Sequence, residues 1–225
     1  VDTLRAAWLI AVKDIAIEWR TKTAFASGLV FAVLVLAVLF FSRDPTVVAT
    51  RDIAPGALWV TFTFAAMLGL NRAFLLEREL RGLDGILLSP VPRSAIFWGK
   101  FGGNLAFVGL IEALSILLFV PFYDVPIWLR FGDLLLVIAM ATVAFVAVGT
   151  LLSAMAVRTR YAELLLPLLL LPFLVPPLVG GVQITSALLD GRPLSDLSGW
   201  LKLIGAFDVA FVTLAALLFQ VVLDE

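Results

Sequence analysis

The sequence contains no cysteine and no histidine in 225 residues, and only 15% of its residues are charged. Each shortage closes off chemistry. Without Cys there is no disulfide scaffold, zinc thiolate, iron–sulfur site or thiol nucleophile. Without His the commonest haem and metal ligand is missing, and so is the commonest general base near neutral pH. Soluble domains carry about 25% charge and about 45–50% apolar residues. A chain that is 62% apolar is too hydrophobic to be a water-soluble globule of its size. Its formal net charge of -1 gives no electrostatic reason to expect nucleic acid as a partner. Nor is there a phosphate cradle of the form GxxxxGK[ST]: the Gly99-Lys100 pair is followed by Phe101.

What the sequence does have is long apolar runs. A helix needs about 20 mostly apolar residues to cross the hydrocarbon core. Six such runs are read, at 24–41, 54–74, 101–122, 134–157, 164–189 and 203–223. The first starts too late and lacks a small-residue cleavage pattern, so it reads as a retained span rather than a signal peptide. The fifth carries Pro167, Pro172, Pro176 and Pro177, which leaves open a kinked span followed by a re-entrant piece; a wholly re-entrant segment would reduce the count to five. With six spans, eleven Lys and Arg fall on one side and five on the other. The surplus predicts that both termini are cytoplasmic.

Ahead of the first span, Leu4, Trp8, Ala11, Ile15 and Trp19 fall in one sector of a helical wheel at about 100° per residue. Asp2, Arg5, Lys13 and Arg20 cluster on the opposite flank, and Glu18 and Lys22 have the spacing of a favourable i,i+4 pair. The segment predicts an amphipathic helix at headgroup level, serving either as a surface anchor or as an elbow that carries force into the first span.

Residues 71–100 form the longest polar connection. Leu76, Leu80, Leu83 and Leu87 make an apolar stripe at helical spacing, Gly82 and Gly85 weaken it, and Ser89-Pro90-Val91-Pro92 ends it. The expectation is a short amphipathic helix, either lying on the membrane or docking a cytoplasmic partner, with Glu77, Arg78, Glu79, Arg81 and Asp84 setting register.

Here the chain resembles the CcmB family, the ABC-2-type permease subunits of the cytochrome c maturation (haem exporter) ABC transporter. The likeness covers essentially the whole chain, through its length, six spans and proline-rich fifth segment, and is most specific over residues 58–100. It centres on Leu70-Asn71-Arg72, Glu77-Arg78-Glu79, Leu83-Asp84-Gly85 and Ser89-Pro90, with Lys13-Asp14, Glu18 and Ala206-Phe207-Asp208 in keeping. It implies one permease domain over 1–225, all-α and polytopic, with six transmembrane helices, an N-terminal elbow helix and a cytoplasmic coupling helix between spans two and three. It also implies an inner-membrane location, a separate CcmA-like ATPase that binds the ATP, a second permease copy, and CcmC, CcmD and CcmE-like haem-handling partners. Asn71, Arg72, Glu77, Arg78, Glu79, Arg81, Asp84, Ser89 and Pro90 would form the ATPase-coupling loop. The machine would either export haem or release the haem-loaded chaperone. A permease for another lipid or drug-like substrate is the alternative.

Two carboxylates fall inside spans. Glu112 lies near the middle of the third, beside a stripe of small residues at Gly102, Ala106, Gly109 and Ala113. No basic residue is expected at its depth, so a proton or a hydrogen bond is the easier escape from the cost of burying charge. It is either a packing carboxyl or a polar point in a pathway. Asp208 is expected nearer the outer surface, as a cap or loop anchor close to Lys202. Met67, Met140 and Met155 are scattered and read as packing residues. Haem, if contacted, would then meet aromatic or Arg side chains rather than ligands. An intramembrane enzyme would need a base or paired carboxylates at one depth. A secondary transporter would more often show inverted repeats. Neither pattern is visible.

Overall fold

The structure is a computed structural model that describes residues 2–79, 85, 90–156 and 162–224. Among them, seven α-helices account for almost everything: α1 (Thr3–Thr21), α2 (Thr23–Ser42), α3 (Thr50–Glu79), α4 (Arg93–Tyr123), α5 (Phe131–Ala156), α6 (Ala162–Leu189) and α7 (Ser198–Asp224). Short 3-10 turns at Ile127–Arg130 and Leu194–Leu197 lead into α5 and α7. Helices α2 to α7 carry six segments long and apolar enough to cross a membrane. The chain is a multi-pass membrane protein.

The bundle sorts by burial. In the spans of α3 and α5, 72% of residues are buried, against 17% in α2 and 11% in α7. Helices α3 and α5 are therefore the centre, and α2 and α7 face outward. The central helices hold the bulkiest enclosed side chains, among them Trp59 and Phe62 on α3 and Phe145 on α5. Hydroxyls buried there satisfy themselves locally. Thr61 donates to the Ala57 carbonyl at 2.7 Å and Thr63 to the Trp59 carbonyl at 2.8 Å, the cheapest way to carry an O–H through hydrocarbon.

The segment with four prolines is a single helix, Ala162–Leu189, so the five-span alternative is set aside. Gly181 on this helix lets it close on α3: a Cβ at Gly181 would stand 2.5 Å from the Trp59 ring. The Trp59 Nε1–H donates to Thr185 Oγ1 at 2.8 Å one turn further along.

Two spans are longer than the hydropathy suggests. Helix α4 begins at Arg93 rather than near Phe101, and its 31 residues make a rod of about 46 Å, longer than the roughly 30 Å hydrocarbon core. Helix α7 begins at Ser198 rather than near Leu203. In both cases charged and small residues interrupt the apolar run where the helix opens, Arg93, Gly99 and Lys100 in α4 and Gly199 and Lys202 in α7. Between α3 and α4, Pro90 and Pro92 precede the new helix, as expected where helical geometry is disfavoured.

Candidate functional site

At the end that leads toward α4, helix α3 does not stop with the span at Asn71. It continues unbroken to Glu79, about 12 Å further. Nothing between Asn71 and Glu79 breaks a helix, since the stretch is Arg, Ala, Phe, Leu and Glu. Arg72, Glu77, Arg78 and Glu79 thus ride on the backbone of a helix that is continuous with the central span. Pro90 is exposed. Arg81, Asp84 and Ser89 lie outside the described residues, as does most of the stripe Leu80, Leu83 and Leu87.

Beside this end sits α1, which is three-sided. Ala6 and Ile10 are buried, and this flank lies on α4. Trp8 and Trp19, each 69% exposed, and Leu4 and Ile15 point away from the protein, as a lipid-facing edge would. Arg5 and Arg20 occupy the third side, exposed. Of the apolar sector expected from the sequence, Leu4, Trp8, Ile15 and Trp19 face outward while Ala11 meets α4, and Ala7 and Ile10 complete that contact. The contact is close: a Cβ at Gly99 would stand 2.7 Å from Ile10 Cβ, and one at Gly103 would stand 3.5 Å from the Ala11 Cα.

A charge cluster locks this contact. Lys100 Nζ lies 2.8 Å from Asp14 Oδ2, with the Lys100 side chain 5% exposed. Lys13 Nζ lies 2.7 Å from Asp14 Oδ1. Lys100, which fits no phosphate cradle, is buried about two turns inside α4. The expected Glu18–Lys22 pair is replaced by something else. Lys22 leaves the helix at φ 56, and the Glu18 carboxylate instead accepts the Phe25 N–H at 3.0 Å, capping α2. Helix α1 is thereby fastened to α4 by its side and to α2 by its end.

Deeper in the membrane, α4 and α5 run antiparallel and share two polar rungs. The Asn104 amide donates to Thr150 Oγ1 at 3.0 Å. Eight residues along each helix, Thr142 Oγ1 lies 2.6 Å from Glu112 Oε2 and 2.7 Å from the Ile138 carbonyl. Thr142 has one proton for two acceptors. A proton on Glu112 satisfies both contacts, because Glu112 then donates to Thr142 and Thr142 donates to Ile138. The other oxygen, Glu112 Oε1, has no hydrogen-bond partner among the described residues although Glu112 is 2% exposed.

Asp208 belongs at this depth too. With α7 starting early, it lies midway along the span Leu194–Val222, and its Oδ1 is buried without a hydrogen-bond partner among the described residues. Gly205, one turn before it, packs on Met140 of α5, close to the level of Thr142. Glu112 and Asp208 therefore flank α5 at similar depth on opposite sides. The expectation of an outer-surface cap near Lys202 fails because the helix begins before that lysine.

Among the described residues, no three His, Cys, Asp or Glu side chains gather as a metal site. Met140 and Met155 share α5 but lie about four turns apart, and Met67 is on α3. At the opposite end of the bundle, Arg51 pairs with Asp190 at 3.1 Å and Arg130 with Asp133 at 3.3 Å, tying the α2–α3, α4–α5 and α6–α7 turns together where Arg130 also donates to the Gly191 carbonyl. Sequence reasoning missed the Asp14–Lys100 lock and both rungs. The available signals were Gly99, Gly102 and Gly103 opposite the alanines of α1, and the matched spacing of Asn104 to Glu112 and Thr142 to Thr150.

Residues 5–224 match the family described as CcmB protein. The heme exporter protein B of Rhodobacter capsulatus is 31% identical over 212 residues, covering 91% of this chain and 93% of the relative. That of Paracoccus denitrificans is 30% identical over 211 residues, covering 92% and 93%. The protein of the same name from Pseudomonas aeruginosa is 26% identical over 212 residues, covering 92% of each. A match that takes in α1 and all six membrane helices, and not only the charged stretch after Asn71, makes this chain a member of the CcmB family.

Proposed function

We propose that the chain is the membrane-spanning permease subunit of an ATP-driven haem-export machine of c-type cytochrome biogenesis. The observation that carries the reading is the nearly end-to-end match to the CcmB family and to relatives named heme exporter protein B. In this reading the protein sits in the bacterial inner membrane with both termini cytoplasmic, in line with the Lys and Arg surplus on that side. Its partners are a CcmA-like ATPase, a second permease copy, and CcmC, CcmD and CcmE-like haem-handling proteins.

The chain supplies no phosphate cradle, so hydrolysis belongs to the ATPase. The coupling surface is the cytoplasmic extension of α3 and the residues that follow it to Pro90. A force applied to Glu77, Arg78 or Glu79 acts on the same rigid helix that carries Trp59 and Phe62 in the bundle centre. Helix α1, locked to α4 through Asp14 and Lys100, holds the neighbouring helix at the membrane surface while α3 moves. Haem chemistry falls to the partners, since the chain has no His or Cys to bind iron. The role left to this subunit is to transmit the stroke, whether that moves haem or frees the haem-loaded chaperone.

The test is co-purification of the chain with the ATPase, combined with charge reversal at Glu77, Arg78, Glu79 and Asp84. The reading expects ATPase binding to be lost while the membrane bundle stays folded. Retained binding and retained cytochrome c production would overturn the assignment of the coupling surface.

A further inference from the structure

At the end of the bundle opposite the α3 extension, the turn between α6 and α7 carries an open hollow of about 430 Å³. It is lined by Arg192, Asp196, Leu197, Gly199, Trp200 and Leu203. The chain geometry here is set locally. Helix α6 closes with a left-handed Gly191 (φ 79), and the Arg192 N–H donates to the Ala187 carbonyl at 3.0 Å. Pro193 follows, and the Asp196 N–H donates back to its carbonyl at 3.1 Å. Leu197, 5% exposed, pins the turn to the core. Arg192 and Asp196 thus stand on a short, braced segment.

The hollow holds two opposite charges that do not pair. Arg192 and Asp196 are both exposed, and among the described residues neither belongs to an ion pair. The Ser195 hydroxyl donates to Asp196 Oδ1 at 3.2 Å, while the Arg192 guanidinium makes no hydrogen bond among the described residues. A simple anion drawn to Arg192 would meet the Asp196 carboxylate, and a simple cation drawn to Asp196 would meet the guanidinium. A ligand that carries both signs on neighbouring groups satisfies both.

The setting names its class. Arg192 lies between two spans, Pro167–Leu189 and Leu194–Val222. Along α7, Trp200 is about 3 Å and Leu203 about 8 Å past the first residue. Trp200 is half-buried against α6, where a Cβ at Gly180 would stand 3.8 Å from its ring, and Leu203 is 41% exposed. Charge, then an aromatic ring, then an exposed apolar side chain is the order of a phospholipid from headgroup to acyl chain. The guanidinium suits a phosphate, to which it presents paired N–H donors. The carboxylate suits a primary ammonium, whose N–H donors a trimethylammonium lacks.

We propose that this hollow binds the headgroup of phosphatidylethanolamine, with the phosphate on Arg192, the ammonium on Asp196 and the acyl chains running down α7 past Leu203. The test is native mass spectrometry of the full chain in detergent, titrated with phosphatidylethanolamine, phosphatidylcholine and phosphatidylglycerol of identical acyl chains. Because both charges are exposed, the phosphatidylethanolamine complex should exceed each of the others by about twofold to fivefold, the range of exposed ion pairs. Asp196→Asn should erase that preference, and Arg192→Gln should weaken binding of all three lipids. A Cβ at Gly199 would meet nothing within 4 Å, so Gly199→Leu fills the hollow from open space with both charges kept. It should abolish the preference while leaving the melting temperature unchanged or higher, which keeps the test decisive if a charge variant fails to fold. Equal binding of phosphatidylethanolamine and phosphatidylcholine would overturn the proposal. So would a preference that survives Asp196→Asn or Gly199→Leu. Displacement of the lipid by chain-free glycerophosphoethanolamine at equal concentration would overturn it too, by making the ligand a soluble zwitterion.

Discussion

Replacing Asp14 with alanine should release α1 from α4, and the cost can be worked from the geometry. Lys100 is nearly enclosed, with 5% of its side chain exposed and its ammonium 2.8 Å from Asp14. Removing one partner of a buried pair costs about 3–5 kcal/mol, because the other charge stays out of water. Asp14 is 22% exposed, and Lys100 has a flexible stem that can reach outward, so the cost falls below that range, at about 2–3 kcal/mol. Lys100→Met is expected to be milder, about 1 kcal/mol or less, since it leaves Asp14 partly hydrated and still 2.7 Å from Lys13. The double variant should then be no worse than Asp14→Ala alone. A single cysteine at Ala6, which is 3% exposed in the α1–α4 contact, reads the equilibrium by maleimide labelling. If docking weakens by about 2–3 kcal/mol, labelling accelerates about 30- to 150-fold in Asp14→Ala and severalfold in Lys100→Met. Equal labelling of the two single variants, or no change in either, would refute the reasoning.

Other parts of the structure give further predictions. Gly181→Ala would force the Trp59 ring to shift and should cost about 1–3 kcal/mol of stability, read as a lower melting temperature in detergent, whereas Gly109→Ala should cost little. Lys22 adopts φ 56, so Lys22→Gly should be neutral or stabilising by up to about 1 kcal/mol while Lys22→Val should lower the melting temperature. Asp44 accepts hydrogen bonds from the Thr46 hydroxyl and N–H, and these hold its carboxyl below the ordinary Asp value. Its contribution to the α2–α3 turn is therefore present above the ordinary value and lost only as pH falls through the lower, folded value. Thr46→Val should move its NMR titration midpoint upward.

Periodicity and length were enough to read the spans, because hydrocarbon thickness dictates both. Residues 134–157 and the observed Phe131–Ala156 differ by little. The prolines of α6 left a re-entrant alternative open beside the six-span reading, which holds because in a membrane bundle neighbouring helices can keep a proline-rich segment helical. Helix ends were harder. Arg93 and Lys100 look like loop residues until Asp14 and the α1 contact are known, and the same error at Ser198 put Asp208 at the wrong depth. Rotation about a helix axis was hardest of all. The wheel of α1 showed an apolar sector correctly, but only the packing reveals that Ala6 and Ile10, outside that sector, meet the protein. Glu112 was marked as a polar point, while its Thr142 partner and its unpaired oxygen depend on how α4 and α5 face each other.

The most direct test of the central claim is haem staining of c-type cytochromes in a strain lacking this chain, complemented with wild type or with the Glu77, Arg78, Glu79 and Asp84 charge reversals. The account predicts that c-type cytochromes disappear in the deletion, return with wild type, and stay absent with the reversals although the variant protein reaches the membrane. Normal c-type cytochromes in the deletion strain would contradict it.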